Sequence, residues 1–153
     1  MWSGLAPDEG GKTAPPALAS CVFGCRIGPS LAWYRLAAEQ GHAVAQFNLG
    51  RAYDDGEGVP EDDGEAVRWY RLAAEQGYAD GQLNLGFMYG NGEGVPEDLV
   101  YAYMWYNLSA AQGNEIAQRN KEIFEQRMTR EQIAEAQRLS REWIETHPQG
   151  GGN

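Results

Sequence analysis

The stretch Trp33-Tyr34-Arg35-Leu36-Ala37-Ala38-Glu39-Gln40-Gly41 decides the fold, because it returns unchanged at residues 69–77. An altered copy follows at residues 105–113, after the same step of 36 residues. The acidic segment 55–62 likewise returns at 91–98, with Asn91 in place of Asp55. Repetition at a fixed period of this length is typical of stacked-repeat proteins, in which each unit buries its apolar face against its neighbours.

Each unit is predicted to contain two antiparallel helices. The first helix of the first unit is expected at Leu31–Gln40, with Ser30 as its N-cap, and the second at Ala43–Tyr53. The corresponding helices are predicted at residues 63–76, 79–89 and 99–112. A glycine follows each first helix and can adopt the left-handed conformation that ends it, at Gly41, Gly77 and Gly113.

The segments 56–62 and 92–98 are predicted to be turns between units, with Pro60 and Pro96 stopping the preceding helices. Asp62 is the expected N-cap of the next helix, and Glu65 is expected to complete a capping pair. Thr129 and Gln132 form a second capping box, which predicts a last helix that runs through about Trp143.

These elements predict an all-α fold, an α/α superhelical solenoid of about two and a half 36-residue repeats plus a C-terminal capping helix. The predicted repeat domain spans 30–145, with units at about 30–62, 63–98 and 99–128 and a cap at 129–145. Residues 1–29 are expected to be a flexible leader, and 146–153 a disordered tail.

Two glycines recur in the middle of the second helices, at Gly50 and Gly86. Glycine costs about 1 kcal/mol relative to alanine inside a helix, so its recurrence predicts that a neighbouring helix backbone passes close by. Four tyrosines are expected to supply bulk on the opposite side of that contact: Tyr34, Tyr53, Tyr70 and Tyr89.

The charge of the chain limits the classes of partner. Its net charge is −10, and residues 31–103 hold 13 acidic and 4 basic residues, a net of −9. Such a surface repels phosphate backbones and anionic lipids, so nucleic acid and membrane insertion are not expected. A basic or polar protein segment fits better.

The two cysteines, Cys21 and Cys25, lie outside the repeats, so no disulfide is expected within the array. The N-terminus lacks the long apolar core of a secretory signal, which favours the cytoplasm. Leu18-Ala19-Ser20-Cys21 resembles a bacterial lipoprotein cleavage box, so a lipoprotein or periplasmic location is the alternative.

The pattern Ala-x-x-Tyr-x-x-Ala-Ala-x-Gln-Gly, then Ala-Gln-x-x-Leu-Gly-x-x-Tyr, then Gly-x-Gly-Val-x-x-Asp resembles the Sel-one-like repeat family over roughly residues 31–145. Residues 99–145 look like the closing module of bacterial members. The resemblance implies an α/α solenoid related to tetratricopeptide repeats, and adaptor or scaffold work between proteins. Departures from the pattern before Leu31 leave open whether the chain is a truncated member.

No catalytic constellation is recognised in the sequence. His42 and His147 lie far apart in the chain, and no serine or cysteine has a base at nucleophile spacing. The acidic turn after Asp54 lacks the order of a calcium-binding EF-hand loop. We therefore expect no enzyme activity, no metal and no cofactor.

Three recurring sets are the candidate binding residues. The tryptophans are expected to be half-buried between units, and a repeated aromatic row can also form a binding ridge. The arginines are expected to pair with Glu39 and Glu75 one turn later. The asparagines are expected to bond the neighbouring turn, or to grip the main chain of a peptide. The sets are Trp33, Trp69 and Trp105; Arg35 and Arg71; and Asn48, Asn84 and Asn120.

The sequence thus predicts an interaction scaffold that binds a protein or peptide on its curved face. One alternative is a small envelope-associated hydrolase acting on peptides or β-lactams. The Cys-rich relatives for which this activity is proposed carry paired cysteines in every repeat, whereas this chain has none there. Another is a fragment that acts within a longer array. Weak self-association is also expected through the N-terminal edge, where Leu31, Trp33 and Leu36 lack a preceding unit.

Overall fold

The computed structural model describes residues 29–148, which form seven helices and no strand. They are α1 (Pro29–Glu39), α2 (Ala43–Asp55), α3 (Asp63–Glu75), α4 (Ala79–Asn91), α5 (Leu99–Ala111), α6 (Glu115–Glu125) and α7 (Arg130–Thr146). The predicted all-α solenoid is confirmed. None of the helices in this range has the length and apolar character needed to cross a membrane. The predicted leader, both cysteines and the lipoprotein-like box lie outside the described residues, apart from Pro29.

Contacts follow the order of the chain. The most extensive packing joins α2 to α3 and α4 to α5, so the second helix of each unit packs on the first helix of the next. The last helix departs from this rule, because α7 packs on α5. The array therefore ends with a helix laid across the first helix of its third unit.

Glycines, and not prolines, end the second helices. Gly56 and Gly92 adopt left-handed conformations with φ of 66° and 70°, and each donates its N–H to the last turn of its helix. Pro60 and Pro96 lie beyond these ends, so the prediction that they stop the helices is wrong. The glycines after the first helices are also left-handed, as predicted: Gly41, Gly77 and Gly113.

Only one of the two hydrogen bonds of a capping box forms at the start of α3. The Asp62 carboxylate accepts a hydrogen bond from the Glu65 N–H at 3.0 Å. However, the Asp62 N–H donates to the Tyr53 carbonyl, so the Glu65 side chain is left to pair with Arg68 at 3.1 Å. The predicted reciprocal pair is therefore wrong here.

At α7 the reciprocal capping box of Thr129 and Gln132 is confirmed. Several predicted helix boundaries differ from the structure, since α2 and α4 each run two residues past the predicted Tyr53 and Tyr89. Helix α1 is already helical at Pro29, so Ser30 is not its N-cap, and α7 continues past Trp143 to Thr146.

A tyrosine ring lies on the backbone of the preceding second helix at both boundaries between units. A Cβ at Gly50 would lie 2.7 Å from Tyr70 Cδ1, and one at Gly86 would lie 2.9 Å from Tyr106 Cδ1. Both tyrosines are buried. The predicted close approach of a neighbouring helix backbone is confirmed, because the Ala66 and Ala102 carbonyls would lie 3.3 and 3.2 Å from these Cβ positions. The placement of Tyr70 on the opposite side of that contact is wrong. The ring itself occupies the space of the missing side chain.

Buried glutamines add a second link between units. Gln46 donates to the Ala38 carbonyl at 3.1 Å and accepts from Gln76 at 2.7 Å. Gln82 repeats both bonds one unit later, with the Ala74 carbonyl and with Gln112. Because buried polar groups destabilise a fold unless they are hydrogen-bonded, these side chains fix the register of neighbouring units.

We predict that Gly86→Leu destabilises the protein by roughly 1–3 kcal/mol, because the new side chain overlaps the Tyr106 ring and the Ala102 carbonyl. Urea unfolding followed by circular dichroism measures the change. Gly64→Ala is the control, since a Cβ there meets just Asp62 Oδ1, at 3.3 Å. A Gly86→Leu protein as stable as the Gly64→Ala control would contradict the packing described here.

Candidate protein-binding surface

The three recurring tryptophans do not form one exposed row. Trp69 and Trp105 are each 6% exposed, whereas Trp33 is 43% exposed. Trp69 packs with the α1–α2 core, and Trp105 with the α3–α4 core. The half-buried state predicted for Trp69 and Trp105 is therefore wrong, because each fills the space between its own helix and the preceding unit.

Trp33 has no such cover among residues 29–148, where no helix precedes α1. Its neighbour Tyr34 is also exposed, although its counterpart Tyr70 is buried. Leu31, expected to be part of the exposed patch at this edge, is buried in the α1–α2 core, so that part of the prediction is wrong. The self-association itself stays a prediction.

The two recurring arginines bond to tyrosine hydroxyls. Arg35 donates to Tyr53 at 2.9 Å, and Arg71 donates to Tyr89 at 2.8 Å. The pairs predicted with Glu39 and Glu75 are not formed, because the guanidinium groups reach across to the second helices. The exposed Glu75 therefore makes no ion pair with any described residue.

The asparagine ladder lies beside the tyrosines that join the units. Burial raises the pKa of Tyr70, whose hydroxyl donates to Asp54 at 2.9 Å, and the Asn84 amide acts in the opposite direction. Burial likewise raises the pKa of Tyr106 to about 12, opposed by Asn120. These two asparagines face tyrosine hydroxyls within their own units, so the neighbouring turn is not the partner of their side chains.

The first asparagine of the ladder has a more open setting. Asn48 lines a cavity of about 330 Å³ together with Leu31 and Tyr34. Tyr34 is the counterpart of Tyr70, and Asn48 is the counterpart of Asn84, so the equivalent two residues both line this cavity at the exposed end of the array.

The acidic turns and the histidines bring no reactive groups together. Within residues 29–148, no three His, Cys, Asp or Glu side chains are placed to hold a metal ion. His42 is exposed. His147, which the sequence places in a disordered tail, stacks on the indole of Trp143 with ring centroids 4.5 Å apart.

A cleft between α5 and α7 is lined by several aromatic side chains. It encloses about 360 Å³. The Trp143 indole meets the edge of Trp105 at 6.1 Å between ring centroids. Nine residues line the cleft, here called the α5–α7 cleft: Glu75, Tyr101, Met104, Trp105, Leu139, Glu142, Trp143, Thr146 and His147.

Sequence reasoning missed this cleft, because α7 does not continue the 36-residue period. The weak signal was the spacing of Leu139, Trp143 and His147, which lie four residues apart and thus on one side of a helix. Glu75 of α3 and Trp105 of α5 line the same opening, so first helices of consecutive units share a surface with the cap.

The comparison with protein families gives the Sel1 repeat at residues 30–42, 43–78 and 79–114, together more than half of the chain. The chain belongs to the Sel1 repeat family. Each complete matched unit joins the second helix of one predicted unit to the first helix of the next, which are the pairs that pack most extensively. No curated protein matches the sequence.

Two solved structures are similar to this Sel1 repeat chain. One is a protective antigen present in uropathogenic Escherichia coli strains, which displays an SLR fold, with 39% identity and a TM-score of 0.75 over 78% of this chain. The other is a Sel1 repeat protein from Oxalobacter formigenes, with 40% identity and a TM-score of 0.60 over 62% of this chain. The chain spans 26% and 39% of the lengths of these two proteins.

Sel1 repeat proteins are generally protein-interaction scaffolds. Their fold is typically non-enzymatic. The candidate residues named from the sequence fall into two groups in this structure. Trp69 and Trp105 are largely buried, and Arg71 and Asn84 bond or face tyrosines between helices, whereas Trp33 lies at an exposed end.

Trp33 and Trp69 stand in identical nonapeptides, which makes them a matched pair for mutation. We predict that Trp69→Ala destabilises the protein by about 3–5 kcal/mol, because it removes a buried aromatic side chain. Trp33→Ala should cost less than half as much, because Trp33 is 43% exposed. Thermal or urea unfolding of both variants decides this, and equal losses would show that Trp33 is covered as well as Trp69.

The raised pKa of Tyr106 predicts a loss of stability at high pH. The neutral phenol is favoured in the folded state, so its contribution is complete below the ordinary tyrosine pKa of 10.0 and is lost as the pH rises towards about 12. Urea unfolding across this window should show a shallower decline for Tyr106→Phe than for the wild type. Identical pH dependence would mean that Tyr106 is not buried in the folded protein.

Proposed function

We propose that this Sel1 repeat domain is an adaptor that binds a basic segment of a partner protein on the face formed by α3, α5 and α7. The observation that carries the proposal is the α5–α7 cleft, because it joins side chains from two repeat units and the cap. A segment lying along this face would touch several units at once. Such contacts give a repeat protein an extended binding surface.

The charge distribution supports a basic partner. The repeat region carries a net of −9 over residues 31–103. Carboxylates also lie at the cleft, from Glu75 and Glu142, and none of its lining residues is lysine or arginine. Complementary charge speeds association and discourages acidic partners.

We also propose that the domain works without catalysis. This rests on the isolated histidines and on the absence of cysteines from the repeats. The hydrolase alternative depends on paired cysteines in each repeat, which this chain does not have.

Selection of peptides from a random display library tests the proposed function. With the folded chain as bait, we expect the enriched peptides to be rich in arginine and lysine, and their binding to weaken as salt is raised, because the attraction is between charges. Heat-unfolded chain is the control, and it should select no such set. Enrichment of acidic peptides, or failure to enrich any peptide above the unfolded control, would contradict the proposal.

A further inference from the structure

The walls of the α5–α7 cleft, which has a volume of about 360 Å³, suit a planar cation. Its walls are mostly aromatic or apolar groups: Tyr101 is exposed, Trp105 and Met104 are buried, and the ring of Trp143 is stacked on one side by His147. Aromatic faces attract cations through the ring quadrupole, and arginine is the commonest partner.

The charged groups at the cleft have different partners. Glu142 already pairs with Arg138, which is also held by Glu135. Glu75 has no ionic partner among the described residues. The nearby guanidinium of Arg71 is engaged with the Tyr89 hydroxyl and ring. Glu75 is therefore the carboxylate that remains available to a cation from outside.

The preceding unit shows what covers the equivalent tryptophan. Trp69 stands 36 residues before Trp105, and the Arg68 guanidinium lies 4.8 Å from the centre of its ring. In the third unit the residue in the place of Arg68 is Met104, so that intramolecular cation is missing. The tryptophan of the third unit is equally buried, with Trp143 of α7 packed on it, and it lines one wall of the α5–α7 cleft.

Two indole N–H groups at the cleft lack acceptors. The Nε1 atoms of Trp105 and Trp143 are buried and make no hydrogen bond. Trp69 Nε1 is also unpartnered, although that indole carries Arg68. A buried donor without an acceptor destabilises the protein by about 1–3 kcal/mol, and because Trp69 shares this state, it is a property of the repeat position and does not mark the cleft.

We propose that the α5–α7 cleft binds an arginine side chain of the partner protein. The guanidinium lies against the exposed ring of Tyr101 and the half-buried ring of Trp143 and pairs with Glu75, much as Arg68 lies over Trp69 in the preceding unit. This inference rests on the proposed function and names the group that the cleft recognises.

Nuclear magnetic resonance of the full nitrogen-15-labelled chain tests the proposal with N-acetyl-arginine amide as the probe. The indole N–H signals are assigned through single Trp→Phe variants. We expect the signals of Trp105 and Trp143 to shift in a saturable manner, while that of Trp69 stays in place. N-acetyl-citrulline amide has nearly the same shape without the charge and should leave all three signals unmoved.

A matched pair of variants isolates the carboxylate. Glu75→Gln should raise the dissociation constant roughly two- to fivefold, which is what one exposed ion pair contributes. Glu39→Gln changes the same position of an identical nonapeptide, away from the cleft, and should leave the constant unchanged. Equal shifts with the citrulline probe, or equal constants for the two variants, would overturn the proposal.

The outcomes separate this inference from the proposed function. Arginine-dependent shifts at Trp105 and Trp143, together with a display library that selects no peptides, would support the cleft and contradict the adaptor role. Selected basic peptides that bind Glu75→Gln and Glu39→Gln equally well would support the adaptor role and contradict the cleft as its arginine site.

Discussion

The contact between a tyrosine ring and the glycine of a neighbouring helix is the interaction on which the rest of this structure depends. Tyr70 lies on Gly50 and Tyr106 on Gly86, each in the space that a Cβ would fill. An aromatic side chain buries a large apolar area, and close packing makes the position of the ring specific. The Tyr70 hydroxyl also donates to the carboxylate of Asp54, which lies on α2 one turn after Gly50. The boundary between the first two units thus combines steric fit with a polar bond of the same tyrosine.

The end of the array follows from the loss of this contact. The position of Gly50 and Gly86 is occupied by Glu122 in α6, and that of Leu49 and Leu85 by Lys121. Helix α6 cannot accept another tyrosine in the same way, because a side chain fills the gap and charged groups replace the apolar ones. Helix α7 accordingly packs on α5. That change of packing brings Trp143 to Trp105 and creates the α5–α7 cleft.

The 36-residue period allowed reliable prediction of the helices and turns. It was a weaker guide to hydrogen bonds of side chains that have two partners within reach. The period predicts the paired helices, the left-handed glycines and the need for Gly50 and Gly86. It cannot show that Arg71 bonds Tyr89 in place of Glu75, because both partners lie within reach of a long side chain. The period stops before α7, so the cleft could not be derived from it. The hydrogen bonds of single side chains depend on the neighbouring unit. The period predicts where the helices of that unit lie, but not which of its groups a side chain will bond.

A double-mutant cycle between Gly86 and Tyr106 tests the central claim most directly. Urea unfolding would be measured for the wild type, Gly86→Ala, Tyr106→Leu and the double variant. We predict that Gly86→Ala destabilises the wild type but costs much less when Tyr106 is leucine, with a coupling of roughly 1–3 kcal/mol. Additive effects, with a coupling near zero, would contradict the account, because the glycine would then be present for a reason other than the tyrosine ring.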